Sequence, residues 1–148
     1  MIPQDEPIVL DTNILVHYTR GNKLAGHIEQ EHRLLQRVSK PIISVVSKGE
    51  ILALSNKFNW GAEKKQVIIE LLSNLVIANI NSDAVIGRYA QISHYLSTLK
   101  PAVTIGQNDM WIAATASCLD AHVISTDKDF KCLSPTWIKF DWIDETRA

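Results

Sequence analysis

The sequence predicts one α/β domain, a parallel β-sheet of about five strands with helices on both faces. Three observations carry that expectation. Short β-rich runs alternate along the chain with helical stretches, the βαβ order that winds into a parallel sheet covered on each side. Apolar periodicity runs nearly from end to end, with no internal repeat, low-complexity tract or Pro/Gly/Ser linker, so residues 1–148 read as a single domain. The length of 148 residues, 46% of them apolar and 21% charged, suits one globular unit with its own core.

The elements follow in order. Ile8-Val9-Leu10 is a short apolar strand, and Asp11-Thr12-Asn13 supplies helix-capping side chains ahead of Ile14-Leu15-Val16. Leu24, Ile28, Leu35 and Val38 give the apolar stripe of the next helix, interrupted at Glu31. Pro41 to Ser44 forms a second strand, and Ser44 caps a helix from Val45 to Lys57 on which Val46, Glu50, Ala53 and Lys57 share a face. Leu75 to Ile80 is a third strand. Ser82 then caps an amphipathic helix carrying Val85, Tyr89, Ile92, Leu96 and Leu99 at helical spacing. A further helix, Asn108 to Leu119, presents Ile112, Ala113 and Ala116 to the core and Asp109 along the same stripe. His122 to Ser125 is the fourth strand, followed by a polar turn closed by Phe130. Trp137 to Ile143 alternates Trp137, Lys139 and Asp141 against Ile138, Phe140 and Trp142, the pattern of an edge strand with one solvated face.

Composition narrows the function classes. Fifteen Lys and Arg against 16 Asp and Glu give a net charge of −1, so any phosphate-binding surface must be a local patch. Cys118 and Cys132 have neither CxxC spacing nor a zinc pattern around them and read as buried thiols in a reducing compartment. Apolar stretches fall far short of a membrane span and the first residues lack the basic start of a signal peptide, which points to a soluble cytoplasmic protein. Trp60, Trp111, Trp137 and Trp142 are scattered instead of interleaved with Lys or Arg, and so read as packing residues, not a base-stacking platform. The five histidines form no ligand pair; His27 and His32 miss helical pairing.

Four acids stand out. Asp11, Glu50, Asp109 and Asp127 each lie where a strand hands over to a helix or early in a helix. Singly each has a bland account: a plain cap, an exposed glutamate pairing with Lys57, a first-turn acid favoured by the helix dipole, a polar turn. In a parallel sheet, however, all such junctions lie along one edge and can meet in one pocket. Unit charges about 4 Å apart repel by roughly 4 kcal/mol per pair at an effective dielectric near 20, so a cluster of this kind needs a divalent cation. Oxygen-only ligands select Mg²⁺ or Mn²⁺ over zinc.

Four segments carry a family resemblance. Val9-Leu10-Asp11-Thr12-Asn13-Ile14-Leu15, Ser44-Val45-Val46-Ser47-Lys48-Gly49-Glu50-Ile51-Leu52, Asn108 to Ala116 and Ser125-Thr126-Asp127-Lys128-Asp129-Phe130 resemble the acidic motifs of PIN-domain ribonucleases, most closely the VapC-type toxins of bacterial toxin–antitoxin pairs. The resemblance covers essentially the whole chain in the right order. It implies metal-binding catalytic roles for Asp11, Glu50, Asp109 and Asp127, with Asp11 and Asp109 as primary ligands, and polar support from Asn13, Asp129 and Ser125, the last standing where the family often has Thr. The relative roles of Asp127 and Asp129 stay open.

The implied activity is metal-dependent hydrolysis of phosphodiester bonds in RNA, tRNA or another structured RNA first, with the cation activating water and neutralising the phosphate. Arg20, Lys23, Lys48 and Lys128 are candidates for holding the RNA by their nearness to the motifs. The same resemblance implies a homodimer and a small VapB-like antitoxin that blocks the site with a basic side chain. Competing classes fit less well. A receiver-like signalling domain would want paired acids after the first strand and an acid ending the third, and an aspartyl phosphatase would want a second acid where Asn13 stands. A non-catalytic PIN-type RNA-binding module would not need all four acids.

Overall fold

Side chains of a strand point alternately to its two faces, and the first strand shows the consequence. Ile8 and Leu10 belong to one buried cluster, Val9 to the other. The computed structural model describes residues 2–147; Met1 and Ala148, the ends of the expected domain, lie outside the described residues. Strands β1 (Ile8–Leu10), β2 (Ile42–Ser44), β3 (Val76–Ala78), β4 (His122–Ser125) and β5 (Lys139–Trp142) form one sheet in the order β3-β2-β1-β4-β5, parallel throughout. On one face α1 (Thr12–Arg20), α2 (Lys23–His32), α3 (Val45–Lys57) and α4 (Ala62–Ser73) bury Ile14, Leu15, Leu24, Ile28, Ile51 and Ile68 with Ile8, Leu10 and Ile43. On the other, α5 (Asp83–Thr98) and α6 (Gln107–Cys118) bury Val85, Ile92, Leu96, Ile112 and Ala113 with Val9 and Val123. The expected five-stranded α/β architecture is the observed one.

The strand order positions the site. The chain winds outward from β1 through β2 to β3, then restarts on the opposite side of β1 with β4 and β5. That reversal opens a crevice outside the carboxyl ends of β1 and β4, the place where open α/β sheets bind ligands. Side-chain caps start the flanking helices there as expected: Asp11 Oδ1 accepts from Thr12 N at 2.7 Å, and Ser44 Oγ accepts from Val46 N at 3.1 Å.

Several elements depart from expectation for identifiable reasons. The stripe from Leu24 to Val38 is not one helix. α2 stops at Arg33, whose φ of 50° is left-handed, and Val38 is 94% exposed. The break lets Arg37 turn inward, where its guanidinium donates to the carbonyls of Ile2, Pro3, Gln4 and Glu6, while Glu29 accepts Leu35 N–H across the break. Helix α4 has no sequence signal strong enough to be read, because Gly61 offers no capping side chain and Val67 and Ile69 are exposed beside buried Ile68. β3 is shorter than Leu75 to Ile80 and is a sheet edge, with Val76 and Ile77 exposed.

The last strand also differs. It runs only from Lys139 to Trp142, and its alternation fails at both ends: Trp137 packs against the core before the strand begins, whereas Trp142 is 42% exposed. Cys118 and Cys132 are half-buried and unbridged. Among the described residues no helix is long and apolar enough to cross a membrane.

Candidate active site

The handover from β1 to α1 builds the centre of the site. Asp11 still pairs with the neighbouring strand, its N–H donating to the Ile124 carbonyl at 3.0 Å, so its side chain is fixed between β1 and β4 and only 4% exposed. Its second carboxylate oxygen, Oδ2, accepts from Ser125 Oγ at 2.6 Å. That same Ser125 hydroxyl accepts from Asp127 N at 2.9 Å and from Asn13 Nδ2 at 3.3 Å. Asn13 Oδ1 in turn accepts from Thr126 N at 3.4 Å. Fully buried Ser125 thereby ties the first acidic segment to the last.

A second hydroxyl orients Glu50. Thr12 Oγ1 donates to Glu50 Oε1 at 2.6 Å and meets the Ser47 hydroxyl at 2.9 Å. Glu50 thus takes a hydroxyl partner and not the bland alternative of Lys57, because the α3 face bearing Ser47 and Glu50 packs against the start of α1. Thr12 and Ser47 were not readable as site residues. The one available signal was a hydroxyl directly after Asp11 and another one turn before Glu50 on the same helical face.

Asp109 is half-buried in the first turn of α6, and Asp127 caps a 3-10 turn, Lys128–Leu133, by accepting from Asp129 N at 2.9 Å. Asp109, Asp127 and Asp129 each offer an oxygen within 4.8 Å of the others. Asp11, expected with Asp109 as a primary ligand, lies outside this trio, and its two oxygens accept from Thr12 N and Ser125 Oγ, each keeping a lone pair. The field nevertheless joins all five acids. Burial, and more weakly Glu50 and Asp127, push the Asp11 carboxyl up to about 6, against the opposing pull of the Ser125 and Thr12 hydrogen bonds. Burial pushes Asp109 up to about 7, reinforced by Asp11, Asp127, Glu50 and Asp129. Among the described residues no Lys, Arg or His forms an ion pair with any of the five.

The expected cations divide. Arg20 and Lys128 line a cavity of about 490 Å³ together with Asn13, His17, Asp127 and Glu145. Lys23 is exposed at the start of α2 and Lys48 is half-buried on α3, and neither lines that cavity. Trp60, Trp111 and Trp137 pack against the core as expected. Trp142 does not: its Nε1 donates to the Thr126 carbonyl at 3.0 Å, and Lys128 Nζ lies 4.4 Å from its ring centroid.

Comparisons with known proteins bear on the fold and the family. No curated protein sequence matches the chain. Among solved structures, VapBC2 from Rickettsia felis bound to a DNA fragment from its promoter is similar with a TM-score of 0.77 at 21% identity, over 93% of this chain and 98% of that one. DNA-bound VapBC from Salmonella typhimurium gives 0.74 at 17% identity, over 92% and 97%. VapBC-5 from Mycobacterium tuberculosis, a member of the VapBC family of toxin–antitoxin systems, gives 0.64 at 19% identity, over 93% and 98%. At these identities the likeness establishes the fold. The family model described as PIN domain matches residues 8–134, from the first strand through the acidic turn after the fourth, and the chain therefore belongs to the PIN domain family.

Proposed function

We propose that this PIN domain is a divalent-metal-dependent endoribonuclease and the toxin of a VapBC-like pair. The observation that carries the reading is the convergence of Asp11, Glu50, Asp109, Asp127 and Asp129 in one field, with two of them raised and, among the described residues, none in an ion pair. The donor set fits Mg²⁺ or Mn²⁺, since it offers hard carboxylate oxygens and neither sulfur nor imidazole. Asp11, Glu50, Asp109 and Asp127 are the catalytic carboxylates in this reading, with Asp129 completing the group that would hold the ion. When bound, a divalent cation supplies water activation and charge neutralisation at the scissile phosphate.

The chain's own residues supply the alignment. Ser125 fixes Asp11 and, through the Asp127 N–H, the acidic turn; Thr12 fixes Glu50; Asn13 holds the Thr126 backbone. Because the centre is anionic, Arg20 and Lys128 at the mouth of the adjoining cavity hold the RNA phosphates. The VapBC complexes among the structural relatives support an antitoxin partner, whose basic side chain would satisfy the same acids. A homodimer and a cytoplasmic location belong to the same reading. The test is cleavage of tRNA by purified protein. Products are expected with Mg²⁺ or Mn²⁺, and none are expected in EDTA or with Asp11→Asn or Asp109→Asn. Equal cleavage in EDTA would overturn the reading.

A further inference from the structure

Beside the acidic centre lies a second cavity, of about 460 Å³, lined by Lys128, Lys131, Ser134, Phe140 and Trp142. Its chemistry is the reverse of the first: two ammonium groups, two aromatic rings and no carboxylate. We propose that this cavity is a nucleotide subsite for single-stranded RNA next to the scissile bond, with a base stacked on Trp142 against Phe140 and the adjoining phosphates held by Lys128 and Lys131. The inference deepens the ribonuclease reading and rests on it for the nature of the ligand.

Four observations support it. Phe140 and Trp142 are two residues apart on β5, so both side chains project from one face of a strand at the edge of the sheet. Trp142 pairs in register with Ser125, whose hydroxyl holds Asp11, which sets the indole at the same end of the sheet as the acids. Its hydrogen bond to the Thr126 carbonyl fixes the ring while leaving it 42% exposed, so the indole can be reached from solvent. Lys128 lines both this cavity and the one containing Asp127, so a polyanion crossing the centre meets the two sites in continuity. The lysine now over the indole sits on a flexible four-carbon stem and can exchange the ring for a phosphate. Stacking on an aromatic face tolerates any base, so the subsite would contribute affinity more than sequence choice.

The experiment uses the full chain as Asp11→Asn, so that RNA is bound without being cut, and an eight-nucleotide single-stranded RNA as probe. Binding is followed by tryptophan fluorescence and by anisotropy of labelled RNA. The expected result is quenching on binding, about tenfold weaker affinity with Trp142→Ala, and near-parental affinity with Trp142→Phe, which keeps a stacking face. Lys131→Gln should weaken binding and reduce the salt dependence by about one counterion. In the cleaving background Trp142→Ala should raise KM more than it lowers kcat. Unchanged affinity in Trp142→Ala and Lys131→Gln, with both folded by circular dichroism, would overturn the subsite. Weakened binding in these variants of a protein that cleaves no RNA with any divalent ion would instead leave the subsite standing and remove the nuclease reading.

Discussion

The two ends of the same sheet treat charge in opposite ways. At the amino ends of the strands, Glu6 takes Lys139 at 2.9 Å and His122 at 3.5 Å, His122 Nδ1 meets Asp141 at 2.7 Å, and Lys139 also reaches Asp120 at 3.7 Å. At the carboxyl ends five acids gather, and among the described residues none of them forms an ion pair. The carboxyl groups record the difference. Glu6 is held below its ordinary value, chiefly by Lys139, whereas burial and neighbouring acids raise Asp11 and Asp109. One edge is complete in itself and the other is built to be completed by something positive. Neutral surroundings would have cost the fold less at that end, so in the proposed reading the acids are a cost of function and not of architecture.

The largest expected effect tests that cost directly. A carboxyl raised in the folded state binds its proton more tightly there than in the unfolded chain, so its contribution is most favourable with the proton on. In EDTA the stability due to Asp11 should therefore be full below its ordinary value of 3.8 and be lost as pH rises through about 6. The shift corresponds to about 3 kcal/mol. Asp109 should extend the loss toward pH 7. Thermal melts of the wild type minus those of Asp11→Asn isolate the effect: the variant should be the more stable protein near pH 7.5 and lose its advantage near pH 4. Added Mg²⁺ or Mn²⁺ should stabilise the wild type by about 2.7 kcal/mol at a hundred times its dissociation constant, which nearly cancels the variant's advantage. A pH-independent difference would mean that the carboxyl-end acids are not strained and that the contrast between the edges is wrong.

Ser125→Ala should have a smaller effect that sharpens the same contrast. It removes the donor to Asp11 and the acceptor of the Asp127 N–H in a fully buried place, a loss of about 1–3 kcal/mol. Without that donor the Asp11 carboxyl should rise further, moving the acid limb of a cleavage pH profile upward; Ser125→Thr, which keeps the hydroxyl, should leave the limb in place. An unmoved limb in Ser125→Ala would show that Asp11 is not aligned through this bond.

Asp11 and Asp127 were legible in sequence because each follows a strand directly and caps the turn after it, and Glu50 and Asp109 because each lies in the first half of a helix whose start is marked locally. What joins them was not. Ser125 and Asp11 are linked across the switch in strand order, and Thr12 reaches Glu50 across two packed helices, so neither contact has a local pattern. The same limit governs the fold. Beyond the break at Arg33, Arg37 bonds carbonyls near the N-terminus, and Trp142 reads as packing until Lys128 is found over its ring. Local chemistry marks junctions, and only topology says which junctions meet.

The smallest expected effect lies at the amino end. Glu6→Gln removes the partner that Lys139 and His122 share, but those side chains are partly exposed and the surrounding solvent and salt screen the pair. The melting temperature at pH 7 should barely move. The sign of its pH dependence should nonetheless oppose that of Asp11: a carboxyl held low stabilises the fold above its unfolded value, and that stability is lost as pH falls through the folded one. Wild type minus Glu6→Gln should therefore shrink on acidification, where wild type minus Asp11→Asn grows more favourable. Distant sites without shared partners act additively, so the metal-induced stabilisation and RNA cleavage of Glu6→Gln should match those of the wild type. A lost metal shift in this variant would mean that the paired edge helps to set the unpaired one, and the two ends of the sheet would have to be treated as one electrostatic unit.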